Sequence, residues 1–199
     1  MNVLKRMKIG KKIGVIVFAM LVPIALLASL YAGSAWQELS RIQRQADGLP
    51  YVDEARVIMQ AVGDHRAATT LVKEGNASAS SKVDEARARA AKSFEVVAGL
   101  AAEDGDRFKA KDAIEKMASD WKAIEAGWQT TSTEINQEQH AAVIKQAYNL
   151  FPLIGDASGL KLDSNPETYY LMDIVVLRAP RLVSSLLEAR GLAVVAAGN

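Results

Sequence analysis

The sequence predicts an all-α protein with one N-terminal transmembrane helix, followed by an elongated antiparallel helical bundle. Three observations predict this class. A charge-free apolar run lies close to the amino terminus, and the rest of the chain is rich in helix-forming residues with only five prolines. The apolar residues of that remainder recur every three or four positions, the spacing of one helix face. No apolar run has the period of two that is typical of a half-buried strand.

The first element is a membrane helix over residues 13–32. The nineteen residues from Ile13 to Tyr31 carry no charge, and a helix of that length reaches about 28 Å, close to the hydrocarbon thickness of a bilayer. Tyr31 and Trp36 lie where interfacial aromatic residues anchor a span, and Pro23 predicts a kink within it. The alternative is a cleaved signal peptide with small residues at 32–35, although the apolar run exceeds the usual signal length.

The charge distribution predicts the orientation of this helix. Five of the 24 basic residues, and none of the 23 acidic ones, fall within the first twelve positions: Lys5, Arg6, Lys8, Lys11 and Lys12. By the positive-inside rule, residues 1–12 are cytoplasmic and residues 33–199 form a periplasmic domain, so we expect a single-pass protein of the bacterial inner membrane. No basic stripe marks the remainder of the chain, which argues against nucleic acid as a partner.

Composition and motifs argue against catalysis. The chain has no cysteine and only two histidines, so it lacks thiolate chemistry and has too few imidazoles for a histidine-based zinc site. A phosphate-binding glycine-rich loop, a nucleophile elbow, an HExxH pair and an EF-hand loop are all missing from the sequence. We therefore expect no catalytic residue, no metal, no cofactor and no enzyme activity.

Glycine, proline, serine and asparagine predict where the remaining helices end. We expect the membrane helix to continue to about Ala46 and to stop at Gly48-Leu49-Pro50. The other predicted helices cover residues 52–73, 78–102, 106 into the 140s, and 167–189 with Pro180 inside. Phe151-Pro152 interrupts the pattern after the fourth of these helices, with a simple kink of that helix at 149–154 as the alternative. A proline within the last helix removes a backbone hydrogen bond and predicts a bend.

The fourth predicted helix carries a heptad pattern. Its apolar positions alternate in steps of three and four, which predicts left-handed coiled-coil packing; they are Ile114, Met117, Trp121, Ile124, Trp128, Thr131 and Ile135. The two tryptophans are in phase with the aliphatic residues, so we interpret them as core residues. The partner of this seam lies either in the same chain or in a second copy, and we expect a homodimer.

Two groups of residues are candidates for ligand binding. Tyr169, Tyr170, Asp173 and Arg178 lie at or after a predicted helix start, where exposed amides attract anions. The alternative for the tyrosines is packing in the bundle with bonded hydroxyls. His65 and its neighbour Arg66 form the second group, since both can hold an anion; the alternative for His65 is a core histidine.

The stretch Leu162-Asp163-Ser164-Asn165-Pro166-Glu167-Thr168-Tyr169-Tyr170-Leu171-Met172-Asp173, followed by Arg178-Ala179-Pro180, resembles the sensory region of bacterial methyl-accepting chemotaxis proteins. The basic start, the early membrane helix and Asp64-His65-Arg66 are similar to that family as well. The resemblance implies a chemoreceptor sensor that detects a small molecule of unidentified structure and signals in chemotaxis. It also implies a second membrane helix, a HAMP linker and a cytoplasmic hairpin, so we expect residues 33–199 to be a partial sensor.

Two other functions remain possible at this point. Related sensors occur on membrane histidine kinases and cyclic-dinucleotide enzymes, so the same region is compatible with a different output. A membrane-tethered helical scaffold without a ligand is the third possibility. The turn at Asp163-Ser164-Asn165-Pro166 departs from the commoner family pattern, which often has a second aspartate, and it therefore does not identify a ligand.

Overall fold

The computed structural model describes residues 8–160, 170 and 172–198. The regular structure of these residues is helical, without strands, which confirms the all-α prediction for this part of the chain. A 3₁₀ turn at Ala77–Ala79 precedes the second α-helix, and a π-helix at Asp173–Arg178 precedes the last. The α-helices are α1 (Ile9–Lys73), α2 (Ser80–Glu103), α3 (Lys111–Gly127), α4 (Thr133–Ser158) and α5 (Ala179–Gly198).

The chain divides into two compact units, Met1–Gln43 and Arg44–Asn199. In the first unit, the described residues belong almost entirely to α1, and the large apolar side chains between Ile13 and Tyr31 are exposed. Among the helices that the structure describes, α1 alone is long and apolar enough to cross a membrane. Length and composition therefore agree with the predicted membrane helix.

The predicted break at Gly48-Leu49-Pro50 is wrong, because α1 continues through it to Lys73. Gly48 is buried against α4 instead: a Cβ atom at this position would lie 2.8 Å from the Cβ of Ser158. The glycine thus permits close helix packing. Pro50 lacks an N–H for the carbonyl of Ala46, but both residues are exposed, so water can reach that carbonyl.

The ends of the next helical segments agree with the predictions. α1 stops before Gly75, which adopts φ of 92°, while the amide of Asn76 donates to the carbonyl of Leu71. This arrangement is a glycine-type helix end. The acidic break after α2 also occurs as predicted, with Gly105 at φ of 65°. The predicted stripe of α2 is buried throughout: Val83, Ala86, Ala90, Phe94, Val97 and Ala101.

The prediction of one long fourth helix is wrong, because the chain breaks between α3 and α4. Hydroxyl groups explain the break: Thr130 and Thr131 donate to carbonyls three residues earlier, and Ser132 accepts from the amide of Ile135 at 3.2 Å as an N-cap. The heptad residues from Ile114 to Ile124 are buried, but Ile135 is 48% exposed. The seam therefore ends at the break.

Helices of the second unit pack against one another in chain order: α2 contacts α3, α3 contacts α4, and α4 contacts α5. Side chains from the second half of α1 reach α4 at both ends. The Gln45 side chain donates to the carbonyl of Gly159 at 3.0 Å, and the Asn136 side chain donates to the hydroxyl of Thr69, also at 3.0 Å. The contact nearer the start of this segment of α1 involves the end of α4, and the contact nearer its end involves the start of α4. The two segments therefore run in opposite directions.

The last helical region contains a π-helix before Pro180 that was not predicted. Its predicted start at Glu167 lies outside the described residues, and the helix continues beyond Ala189 to Gly198. Just before Pro180, the amide of Ala179 donates to the carbonyl of Ile174, which is π-helical pairing. Proline removes the N–H that an α-helix would pair with the carbonyl of Val176, so the wider turn occurs where α-helical pairing is already interrupted.

Candidate functional site

Three of the four residues of the first predicted group, Tyr170, Asp173 and Arg178, are described by the structure, and Tyr169 lies outside the described residues. Tyr170 is 66% exposed. Asp173 and Arg178 pair with each other, with 2.5 Å between Arg178 Nε and Asp173 Oδ2. This ion pair joins the two ends of the π-helix and therefore stabilises that turn locally.

The second predicted group is buried in the core. The His65 and His140 side chains are fully buried, and His65 Nδ1 lies 2.8 Å from His140 Nε2. His140 Nδ1 in turn lies 2.6 Å from the backbone carbonyl oxygen of Asn136. A chain of hydrogen bonds therefore runs from α1 through both imidazoles to the backbone of α4.

The carbonyl at the end of this chain determines the tautomers of both rings. A carbonyl only accepts, so His140 Nδ1 carries a proton and its Nε2 accepts from His65 Nδ1–H. His65 Nε2 then has a free lone pair, and this buried atom has no hydrogen-bond partner among the described residues. Burial, together with the charge of Arg87, lowers the pKa of His65 to about 4. Burial also lowers the pKa of His140 to about 3, despite its bond to Asn136.

Trp121 of α3 and Trp128, the residue directly after α3, both lie edge-on to His65. The Trp121 ring is fully buried, and its centroid lies 4.9 Å from that of His65 at 75°. The Trp128 centroid lies 6.1 Å away, also edge-on. The interpretation as a core residue is confirmed for Trp121, whereas Trp128 is partly buried and packs against the core. Both rings strengthen the desolvation that disfavours the charged imidazolium.

Arg66 is almost completely buried and points toward α5. Its Nη2 donates to the carbonyl of Leu187, whereas its Nε has no hydrogen-bond partner among the described residues. A Cβ atom at Gly191 would lie 2.7 Å from the Arg66 Cζ, so the glycine makes room for the guanidinium. Burial lowers the pKa of Arg66, and the charge of Glu188 partly opposes this effect.

Asp64 completes a three-residue group. Its two carboxylate oxygens each accept a 2.6 Å bond, one from Arg89 of α2 and one from Arg190 of α5. Burial disfavours the charged carboxylate, but the two arginines outweigh it, so the pKa of Asp64 is lowered. We name Asp64, His65 and Arg66 the α1 node, because these consecutive residues contact α2, α3, α4 and α5.

The residues that contact the α1 node were not predicted from the sequence. His140 was counted only as one of two histidines, yet it follows Asn136 by four residues and precedes Val143 by three. That spacing places it on the buried face of α4. The helical periodicity of α4 therefore contained a signal for a core histidine, whereas its pairing with His65 required the tertiary structure.

The described residues contain no group of three or more histidine, aspartate or glutamate side chains that could hold a metal ion. Comparison of the chain with protein-family models, with curated proteins and with solved structures finds no match.

Proposed function

We propose that the chain is the sensory region of a chemoreceptor of the bacterial inner membrane. Residues 1–12 are cytoplasmic, and the helical domain in the periplasm detects a small solute without catalysis. The observation that carries this proposal is the α1 node. One helix contains both the apolar segment and three consecutive residues that bond to or pack against each of α2, α3, α4 and α5.

The node supports a conformational role for α1. A shift or rotation of this helix would change the His65–His140 hydrogen bond, the Arg66–Leu187 hydrogen bond and the two ion pairs of Asp64 together. Contacts that form or break as a group produce two discrete states, and a solute that binds one state better shifts the balance. The membrane helix would then carry that change as a movement of its own axis.

We also propose that α2 to α5 and the second half of α1 form an antiparallel bundle. The opposite directions of α1 and α4, and the contacts between consecutive helices, support this arrangement. Short breaks between α2, α3 and α4 favour antiparallel neighbours.

The proposed homodimer requires a different surface from the heptad seam. Ile114, Met117, Trp121 and Ile124 are buried within the chain and are not available to a partner. In the first unit, Ala35, Leu39 and Ile42 instead follow one another in steps of four and three, and Leu39 and Ile42 are 56% and 50% exposed. Two copies in one membrane are parallel, so this stripe is self-complementary.

A genetic experiment tests the sensory function. The gene would be deleted from its own bacterium, and swimming responses to a panel of amino acids, organic acids and neutral aromatic compounds would be recorded in capillary assays. We expect loss of the response to at least one compound and its recovery when the gene is returned. Unchanged responses across the panel would contradict a chemotactic role and would favour the kinase, cyclic-dinucleotide or scaffold alternatives.

A further inference from the structure

A cavity of about 340 Å³ lies between the second half of α1, α4, the π-helix and the start of α5. It does not involve the α1 node. Each of these elements supplies an apolar side chain to its wall: Val52 and Met59 from α1, Phe151 from α4, Val175 from the π-helix, and Pro180 and Val183 from α5. The volume is at the lower end of the range of small-molecule sites.

The chemistry of the wall defines what the cavity accepts. Eight of its ten lining residues are apolar, and the other two, Asp53 and Arg56, form a 2.6 Å ion pair with each other. Arg56 also donates to the side chain of Gln60. The two charges are therefore already compensated, and neither an anionic nor a cationic ligand would gain a free partner here.

We propose that this cavity binds a neutral, apolar molecule about the size of a single aromatic ring. An apolar cavity less than half as large holds benzene in another protein, so one ring with a short substituent fits a space of this size. The site opens to solvent at Leu49 and Val175, which are 43% and 40% exposed, but its wall offers few polar partners that could hold ordered water. The proposal deepens the sensory function by naming its ligand class, and the sensory meaning of the site rests on that function.

The position of Val175 gives the ligand a means of acting on the protein. Val175 lies within the π-helix that the Asp173–Arg178 ion pair joins end to end. Wide π turns occur frequently at functional sites, because they cost stability and must be compensated by local contacts. A ligand against Val175 and Pro180 would supply such contacts and would stabilise the π-helical register.

Photolabelling tests the proposal on the full chain in lipid nanodiscs. The probe is phenyl(trifluoromethyl)diazirine, a neutral apolar ring that attaches to adjacent side chains on illumination, and labelled residues are identified by mass spectrometry. We expect labelling at cavity residues such as Met59, Phe151 and Val175, competed by benzyl alcohol but not by benzoate. Labelling of the apolar segment, residues 13–31, serves as the internal reference for the probe dissolved in lipid.

Substitution of Ala179, which also lines the cavity, provides the matched test. Ala179→Phe fills the cavity and should abolish the competed labelling, whereas Ala189→Phe, at an exposed position of the same helix, should leave it intact. Val175→Phe is the second blocking variant, and circular dichroism shows that each variant folds. Labelling that persists in both blocking variants, is absent from the wild type, or is competed equally by benzoate would overturn the proposal. None of those results would affect the swimming responses that test the sensory function.

Discussion

His65 of α1 and His140 of α4 are joined by a hydrogen bond of 2.8 Å inside a core that excludes water from both rings. The backbone carbonyl of Asn136 holds His140 in a single neutral tautomer, and His140 then imposes the tautomer of His65. Adding a proton places a charge against aromatic walls and beside Arg66 and Arg87. Protonation of this histidine pair is therefore expected to weaken the contact between α1 and α4.

Stability is expected to fall as the pH drops below the ordinary histidine value. Both folded-state pKa values are depressed, to about 4 and about 3, so the unfolded chain takes up protons near pH 6.5 while the folded chain does not. The free energy of unfolding should therefore decrease by roughly 1.4 kcal/mol per histidine for each pH unit between about 6.5 and 4. Urea unfolding of the full chain in nanodiscs at several pH values measures this slope.

The variant His65→Gln removes one of the two histidines that take up a proton on unfolding. It should roughly halve the pH slope of this region, since one titrating ring remains. Asp64, whose pKa is lowered by Arg89 and Arg190, contributes mainly below the histidine range and is unchanged in this variant. A slope equal to that of the wild type would show that the histidine pair does not carry the pH dependence.

Two helical glycines are expected to respond oppositely to substitution. Gly48→Ala should lower the free energy of unfolding by about 1–3 kcal/mol, because its Cβ would lie 2.8 Å from the Cβ of Ser158, which is fixed to the α4 backbone. Gly99→Ala is the matched control: nothing lies within 4 Å of its added Cβ, so it should raise stability by about 0.5–1 kcal/mol. Thermal unfolding followed by circular dichroism compares the two. A stabilising Gly48→Ala would contradict the close approach of α1 and α4.

The proposed dimer surface is tested with single cysteines, which is straightforward because the chain has none of its own. Leu39→Cys and Ile42→Cys should form disulfide-linked dimers in membranes on mild oxidation, since the two positions lie on the proposed seam. Gln37→Cys and Ser40→Cys, which lie off the seam, should remain largely monomeric on non-reducing gels. Equal crosslinking at all four positions would indicate random collision and not a seam.

Elements with regular apolar spacing were predictable from the sequence, and elements decided by side-chain chemistry or tertiary contact were not. The α2 stripe from Val83 to Ala101 and the helix end at Gly75 follow from periodicity and backbone preference alone. Pro50 was interpreted as a breaker, yet its exposed position allows the helix to continue. The break at Ser132 was missed because an apparent heptad runs through it, whereas the hydroxyl groups of that stretch compete for the backbone.

The candidate site was predictable only in part. His65 and Arg66 were identified from the sequence, but as possible anion ligands, whereas the structure buries both of them in contacts with α4 and α5. Asp173 and Arg178 were also identified, and the structure adds that they pair with each other across the π-helix. A single helix pattern shows which residues face inward; it does not show which inward residues of different helices meet.

The most direct test of the account is the accessibility of two cysteines in intact cells. Ser81→Cys lies on the exposed face of α2, and Lys8→Cys lies before the apolar segment. Each variant would be treated with a maleimide that passes the outer membrane but not the inner one. The account predicts that position 81 reacts in intact cells, while position 8 reacts only after the inner membrane is opened. Reaction at position 8, or protection at position 81, in intact cells would contradict a sensor that is anchored by α1 and faces the periplasm.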